Sequence, residues 1–326
     1  MKLVIAIGGN ALLRSGQAPT APNLLGNVRI AAAQLAKIAC VEDMGRAAHQ
    51  IVLTHGSGPQ VGLLALQSAA YAAQNPGTEP NPLDMLDAEV AGMLGYALEQ
   101  EIANLLPVER TVVTLLTRVE VDRFDPAFKS PTKPIGPTYT PEEADKVAAG
   151  KTWTMGKVGA GDKPALRRLV ASPQPVRVLA MQAIRALQNT GALVIAGGGG
   201  GIPVVRKANG VGMEGVEAVI DKDLCTAMIA VGVQADCLII ATDVDAVYVN
   251  WGQPEQRRLS QTSPQELASH NFASGSMGPK VEAAVKFVVA TGKRAVIGSL
   301  DQIEDMLAGS AGTQICADAD AAARPS

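Results

Sequence analysis

Residues 195–205 read IAGGGGGIPVV, an apolar run followed by five consecutive glycines, Gly197 to Gly201, and then by Ile202-Pro203 and a return to apolar residues. Glycine reaches positive φ without steric cost and leaves its amide bare, yet it loses more conformational freedom on folding than any other residue. An isolated glycine run reads as a flexible turn. Five glycines directly behind a strand-like segment need a further reason. Two other stretches share the build: IAIGGNA at 5–11 and VLTHGSGPQVG at 52–62. In an open parallel sheet the ligand crevice lies beyond the carboxyl ends of the strands. Bare amides there, backed by helix N-termini, form a cradle for anionic oxygens.

The rest of the chain supports such a sheet. Short β-branched runs alternate with longer helical patterns, which points to an α/β fold with a largely parallel, helix-covered sheet. Strands are expected at LVIAI (3–7), IVLT (51–54), VVTLL (112–116), VRVLA (176–180), ALVIA (192–196), CLIIAT (237–242) and RAVIG (294–298). Helices are expected from about Asn27 to Met44, around Val61 to Ser68, from an N-cap at Asp84 to Leu105, up to Asn189, from Asp221, behind a capping box Ser263-Pro264-Gln265-Glu266, up to Gly292 and near Ile303. Residues 118–165 break this rhythm with Pro, Gly, Lys and Asp, and a structureless loop of that length is improbable in a compact domain. They read as a small protruding lid. The expected organisation is therefore an N-terminal lobe over 1–117 and 166–210, the lid, a C-terminal lobe over 211–316, and a frayed tail over 317–326.

Composition removes several function classes. The chain has 326 residues, 28 basic and 31 acidic, with a net charge of −3 and no Lys/Arg block, so neither nucleic acid nor an anionic membrane is an expected partner. No apolar stretch is long enough to span a bilayer, and the apolar run of MKLVIAIGGN is too short for a secretory signal. Cys40, Cys225, Cys237 and Cys316 are widely spaced, and the three histidines are His49, His55 and His270. That pattern offers neither a zinc site nor a disulfide framework, and it fits reduced thiols in a cytoplasmic protein. GKT at 150–152 fails as a phosphate-binding P-loop because Asp145 stands where a glycine is required. Gly210 to Gly215 match G-x-G-x-x-G, but RKAN precedes them instead of a strand, and no acidic residue ends a second strand about 20 residues on, which leaves dinucleotide binding as a minor alternative.

Phosphoryl transfer needs positive charge near such loops, because its loose transition state is stabilised mainly by position and electrostatics. Lys222 lies in AVIDKDL between Asp221 and Asp223, at a helix start where a cation is disfavoured unless held. Lys280 opens a helix in GSMGPK, and Lys133 is stiffened by prolines in PTKPIGPTY on the lid. Each alone could be a surface lysine; beside the glycine loops they form a coherent set. Asp243 and Asp245 in ATDVDAVY are either turn caps or contacts to a nucleotide ribose, phosphate or hydrated Mg²⁺.

Taken in order, GGNAL, HGSGPQVG, PTKPIGPTY, AGGGGGIPV, AVIDKD, TDVDAVY and GSMGPKVEAA resemble the carbamate kinase family of the amino-acid-kinase superfamily, over nearly the whole chain from Leu3 to about Cys316. The resemblance implies a three-layer α/β/α sandwich with the lid, and a homodimer. It also implies a phosphotransferase with a carboxyl-type acceptor: ATP and carbamate give ADP and carbamoyl phosphate, commonly in reverse to make ATP. By the same resemblance Gly8, Gly9, Asn10, Gly56, Ser57, Gly58, Gly198 and Gly199 would surround carbamate and the migrating phosphoryl group. Lys133, Lys222 and Lys280 would hold that group, and Asp223 would orient lysines. Thr242, Asp243, Val247, Tyr248, Met277 and Gly278 would line the nucleotide site, with Mg²⁺ carried mainly by nucleotide phosphates and no direct protein ligand. Related acetylglutamate and aspartate kinases have a lysine two residues before the first Gly-Gly, where this chain has Ala6; Lys2 is too early on the strand to replace it, so the charge is expected from Lys133. Ser57 stands where the family usually has Asn, Ala246 replaces a common Gly, and the later lid matches loosely around Arg167-Arg168. A related small-carboxylate kinase and a silent nucleotide-binding sensor therefore stay open as alternatives.

Overall fold

The computed structural model describes residues 1–14, 16–40, 48–158, 165–273 and 275–317. The end of the helix expected up to Met44 and nearly all of the expected tail lie outside the described residues. An eight-stranded sheet runs through the molecule in the order Gln261–Thr262, Thr313–Ile315, Arg294–Ser299, Cys237–Thr242, Lys2–Ile7, Gln50–His55, Leu193–Ala196, Val112–Leu115. Every neighbouring pair is parallel except Arg294–Ser299 with Thr313–Ile315.

Strand periodicity explains the layers. Successive side chains of a strand point to opposite faces, so Leu3, Ile5 and Ile7 enter one apolar core while Val4 and Ala6 enter the other. Helices Ala21–Ala39, Leu83–Ala103 and Ile303–Ala308 cover the first face through Leu35, Leu86, Leu94 and Ile303. Helices Met181–Asn189, Lys222–Gly232 and Met277–Thr291 cover the second through Ile184, Ile229 and Phe287. A sheet buried on both faces needs uninterrupted apolar strands, which is why CLIIAT and LVIAI carry no charge. Each fully buried Leu, Ile, Val or Phe contributes roughly 1.5–3 kcal/mol. The result is the α/β/α sandwich.

Two smaller sheets sit beside it. Lys133–Tyr139, Ala165–Val170 and Thr154–Val158 form an antiparallel three-stranded sheet, with Ala165–Val170 in the middle and helix Pro141–Ala148 in the connection. That helix is closed by a complete capping box: Thr140 Oγ1 accepts from the Glu143 amide, and the Glu143 carboxylate accepts from the Thr140 amide. The lid sheet thus recruits Ala165–Val170 from beyond the expected 118–165 span. Arg118–Val121, at the start of that span, pairs instead with Ile202–Arg206 and Pro175–Val178 in a four-stranded sheet. VRVLA therefore supplies a strand outside the central sheet.

Two helix starts differ from expectation. The long helix begins at Leu83 with Pro82 as its N-cap, because Pro82 is fixed in extended backbone (φ −69°, ψ 159°). Asp84 instead stands in the first turn, and the Leu83 amide is capped from afar by Glu217 Oε2 at 2.8 Å. Behind Ser263 the box is half formed: Ser263 Oγ accepts from the Glu266 amide at 3.2 Å, while the Glu266 carboxylate accepts from Thr262 Oγ1 at 2.8 Å.

Glycines mark where backbones meet. A Cβ on Gly62, in helix Gly58–Gln74, would fall 2.1 Å from the Cα of Gly136 in the lid strand, so this pair is where the lid docks. Gly92 in helix Leu83–Ala103 has open space around it. Gly62→Ala is expected to lower stability by roughly 1–3 kcal/mol by overpacking, and Gly92→Ala to raise it by roughly 0.5–1 kcal/mol by restricting the unfolded chain. Urea denaturation of both variants checks this, and shifts of the same sign would refute the docking assignment.

Candidate active site

The loops leaving the carboxyl ends of the central strands enclose a cleft of about 1000 Å³. Gly8 and Gly9 follow the first strand, Gly56 and Ser57 the second, Gly199 the polyglycine strand, and Thr242 and Asp243 the fifth segment of the chain to join the sheet. Lys222, Asp221 and Asp223 enter from the start of helix Lys222–Gly232, Gly278 and Lys280 from the start of helix Met277–Thr291, and Lys133 from the lid. The polyglycine turn and the three lysines thus face one space.

The glycine run is bare because protein atoms press on it from several sides. A Cβ on Gly200 would lie 2.4 Å from the Ile220 carbonyl oxygen, and its φ of +106° excludes other residues as well. A Cβ on Gly198 would strike His55 Nε2, and one on Gly199 would strike Ser57 Oγ, each at 2.5 Å. Gly56 similarly admits the Gly9 amide, 2.7 Å from where its Cβ would be. These approaches bring three loops and a helix start into contact. Gly198 itself is buried beneath the cleft rather than on its wall.

Charge is laid over that floor as paired groups. Lys222 Nζ donates to Asp223 Oδ1 at 2.5 Å, and Lys280 Nζ donates to Asp223 Oδ2 at 3.1 Å. One buried carboxylate therefore fixes two ammonium groups. Lys133 Nζ donates to Asp221 Oδ2 at 2.8 Å, while Asp221 Oδ1 accepts from the amides of Asp223 and Leu224 as the helix cap. Burial opposes ionisation of Asp221, but the Lys133 ammonium, by charge and hydrogen bond, together with Lys222 and the Leu224 amide, brings its pKa down to about 2. Burial pushes the Lys222 pKa down; Asp223 counters this and Lys280 adds to it. Thr226 Oγ1 donates to the Lys222 carbonyl at 2.6 Å, so its contact with Thr54 Oγ1, also 2.6 Å, is donated by Thr54. This chain ties the helix start to the second strand.

Beneath the floor lie polar groups that local sequence does not mark. His55 is fully buried, with Nδ1 3.2 Å from the Gly56 carbonyl oxygen; burial lowers its pKa to about 4 against that hydrogen bond, and Lys222 lowers it further, so the ring is neutral at physiological pH. Asp87, on the helix facing the polyglycine turn, is 2% exposed, and neither carboxylate oxygen has a hydrogen-bond partner among the described residues. Burial raises its pKa well above the usual carboxylate range, Lys133 counteracts this, and Asp84 and Glu217 add to it. Asp221, Asp87 and the lid's Arg167, which also lines the cleft, are additions to the residues expected from sequence. Asp221 was legible as the start of its helix beside Lys222, and Arg167 only as part of the loosely matching later lid; Asp87 carries no local signal.

The nucleotide residues divide. Thr242 and Asp243 are on the wall, with Thr242 Oγ1 donating to Asp243 Oδ1 at 3.0 Å. Val247, Tyr248 and Met277 are not on it. Val247 is buried in a short hairpin and its amide donates to Thr313 Oγ1; Tyr248 donates its hydroxyl to Asp245 Oδ1 at 2.8 Å and meets the Trp251 ring edge-on. Met277 packs against the second core. Asp245 also accepts from Arg258 Nε, so it anchors the hairpin. The side chain of Asn10 lies outside the described residues, and Gly58 is described as the first residue of its helix. Lys2 Nζ reaches the Val233 carbonyl at the opposite end of the sheet, and Ala6 is fully buried, so neither brings charge to the cleft. Among the described residues no cluster of three or more His, Cys, Asp or Glu side chains is arranged to hold a metal.

The model of the amino acid kinase family matches residues 1–299. The chain is 52% identical over 315 residues to a carbamate kinase of Haemophilus influenzae, covering 97% of this chain and 96% of that one. It is 42% identical over 322 residues to a carbamate kinase of Thermococcus kodakarensis, covering 96% and 98%. A solved carbamate kinase of Giardia lamblia bound to AMP-PNP superposes with a TM-score of 0.83 at 38% identity, covering 97% and 98%.

The isolated acid at Asp87 has a consequence for stability. The unfolded chain releases this proton near the ordinary carboxylate pKa of about 4, whereas the folded chain retains it to higher pH. The contribution of Asp87 to stability therefore falls as pH rises above about 4, by at most about 1.4 kcal/mol per pH unit, while buried His55 contributes with the opposite sign in both wild type and variant. Asp87→Asn removes the titration, so its stability relative to wild type is expected to rise from pH 4 toward neutrality. Denaturant unfolding at several pH values reads this, and a constant difference would refute the raised pKa.

Proposed function

We infer that this chain, which belongs to the amino acid kinase family and to its carbamate kinase branch, transfers a phosphoryl group reversibly between ATP and carbamate, giving ADP and carbamoyl phosphate. The observation that carries this reading is the one cleft that joins three glycine loops to Lys133, Lys222 and Lys280, in a chain similar along almost its whole length to carbamate kinases. The same likeness favours this activity over the related small-carboxylate kinase and the silent sensor that the sequence left open.

Carbamate is already an anion, so attack on the phosphoryl group needs no general base. The neutral, buried His55 is accordingly assigned to support of the loop. The obstacle is repulsion between the acceptor and the phosphoryl oxygens, which fixed cations and amides offset without reorganising during the reaction. Lys222 and Lys280, aimed from two helices by Asp223, are proposed to hold the migrating group on both sides. Lys133, seated on Asp221, is proposed to supply charge on the acceptor side, where Ala6 offers none. Acceptor binding is assigned to Gly8, Gly9, Gly56, Ser57 and Gly199, and the nucleotide to Thr242, Asp243 and Gly278. In domain terms the acceptor half is proposed as 1–121 with 171–210, the lid as the segment between them, and the nucleotide half as 211–316.

Mg²⁺ is proposed to arrive with the nucleotide, since Asp223 is already committed to two lysines. Such an ion usually keeps waters and phosphate oxygens as ligands, and it would neutralise the phosphate charge. A homodimer is proposed, supported by Met85, Met93 and Tyr96, exposed at helical spacing, with Tyr71 exposed on the adjoining helix. A cytoplasmic location is proposed from the thiol chemistry: burial pushes Cys225 to about 12 and Cys237 to about 11, which suppresses their reactivity. No described helix is long and apolar enough to cross a membrane.

The direct test is ATP formation from ADP and carbamoyl phosphate. Lys222→Ala and Lys280→Ala are each expected to lower kcat on the order of 10²-fold or more, as removal of a transition-state donor does. Lys133→Ala is expected to raise the KM for carbamoyl phosphate more than that for ADP. Wild-type protein without turnover would refute the activity, and near-normal kcat in both Lys222 and Lys280 variants would refute their roles.

A further inference from the structure

We propose that Arg167, on the middle strand of the lid sheet, binds the carboxylate end of the acceptor, so that the lid contributes a guanidinium as well as the Lys133 ammonium to acceptor recognition. The inference rests on the carbamate reading above and extends it to a residue outside the glycine and lysine motifs.

Strand alternation separates the two adjacent arginines. Arg168 turns to one face, where its guanidinium lies 4.3 Å from the Trp153 ring centroid and donates to Glu217 Oε1 at 3.2 Å. Arg167 points to the other face, shared with Leu169 and its ladder partner Pro134, while Lys133, paired with Val170, is on the Arg168 face; both Arg167 and Lys133 line the cleft. Arg168 is thus satisfied by protein. Arg167 is not: among the described residues its side chain forms no ion pair or hydrogen bond, and its Nε is buried without a partner.

The other partly buried cations on the cleft wall differ from it. Lys133, Lys222 and Lys280 each sit on a carboxylate, and Arg14 is exposed to solvent. A guanidinium withdrawn from water without a counter-ion is costly. Burial pushes the Arg167 pKa down, with Tyr139 acting in the opposite direction, yet arginine does not lose its proton in proteins. An anion entering the cleft would relieve this cost, and the guanidinium fork matches a carboxylate with two parallel N–H donors. Position selects which anion. The lid docks on helix Gly58–Gln74 through Gly62 and Gly136, and that helix starts from the Gly56–Ser57 loop. Arg167 therefore lies over the acceptor half, whereas Thr242, Asp243 and Gly278 belong to the opposite half.

The experiment compares wild type, Arg167→Met and Arg167→Lys in ATP formation from ADP and carbamoyl phosphate, and in thermal stabilisation by carbamoyl phosphate alone and by ADP alone. Arg167→Met is expected to raise the KM for carbamoyl phosphate about tenfold or more while the KM for ADP stays within about twofold. It should also lose stabilisation by carbamoyl phosphate and keep that by ADP, with Arg167→Lys intermediate in both. An unchanged carbamoyl phosphate KM, or an increase confined to ADP, would overturn the assignment. If Arg167→Met does not fold, Arg167→Lys is judged by the same split. Wild-type protein that makes no ATP would defeat the carbamate kinase reading itself. Arg167 is then decided by the stabilisation arm: a loss specific to carbamoyl phosphate supports it, and no loss, or no stabilisation of wild type, overturns it.

Discussion

A single buried carboxylate, Asp223, shared by Lys222 and Lys280, is the interaction on which the architecture of the cleft converges. Two ammonium groups brought together without it would repel, and burial would add a desolvation cost to each. With it, both are aimed at one point from two different helices. Buried ion pairs are seldom strong contributors to stability, since desolvation offsets much of their attraction. Their presence here is better explained by the chemistry they prepare than by the fold they stabilise. The surrounding structure supports that view, because it holds the helix start by several independent means: the Asp221 cap, the Thr54–Thr226–Lys222 chain and the contact of Gly200 with Ile220.

Those restraints link the site to the sheet. The strands end at a common edge because they are parallel, and so the loops that follow them collect on one side. Loops bearing side chains could not come this close. The glycines at 56, 199 and 200 let backbone and side-chain atoms of neighbouring loops pack into their missing Cβ volumes. Polyglycine here serves internal packing first, and Gly199 is the residue of that turn on the cleft wall. The lid is coupled to the same edge twice, by backbone contact at Gly62 and Gly136 and by charge at Lys133 and Asp221. Lid position and the cap of the lysine helix are therefore parts of one structure.

Much of this was legible in the sequence because it is local. Strand alternation, glycines at strand ends, Lys222 between two aspartates and the Gly292 helix stop are each read within a few residues. What escaped is long-range. The cap of the Leu83 helix comes from Glu217, 134 residues away. The third lid strand is set by its antiparallel partners, not by its own composition. Thr242, Asp243, Val247 and Tyr248 of TDVDAVY were expected together at the nucleotide, yet Val247 enters the core while Tyr248, partly exposed, bonds to Asp245. Motif contiguity in sequence does not carry into contiguity at a surface, because alternate residues of a strand face opposite ways.

The distribution of protonation states gives the chemistry its character. Two groups at the floor are held away from proton exchange near neutrality: His55 is kept neutral by burial, and Asp221 is kept ionised by Lys133 and Lys222. A site for general acid–base catalysis would place a group with a pKa close to the working pH within reach of the substrate. Here burial of His55 and pairing of Asp221 take these two groups away from that condition, leaving fixed charge beside the glycine loops. Such a site is suited to moving a group between two anions that need no proton transfer, and poorly suited to activating a neutral hydroxyl or water. The preference for an already ionised acceptor is thus built into the floor of the cleft as well as into its lysines.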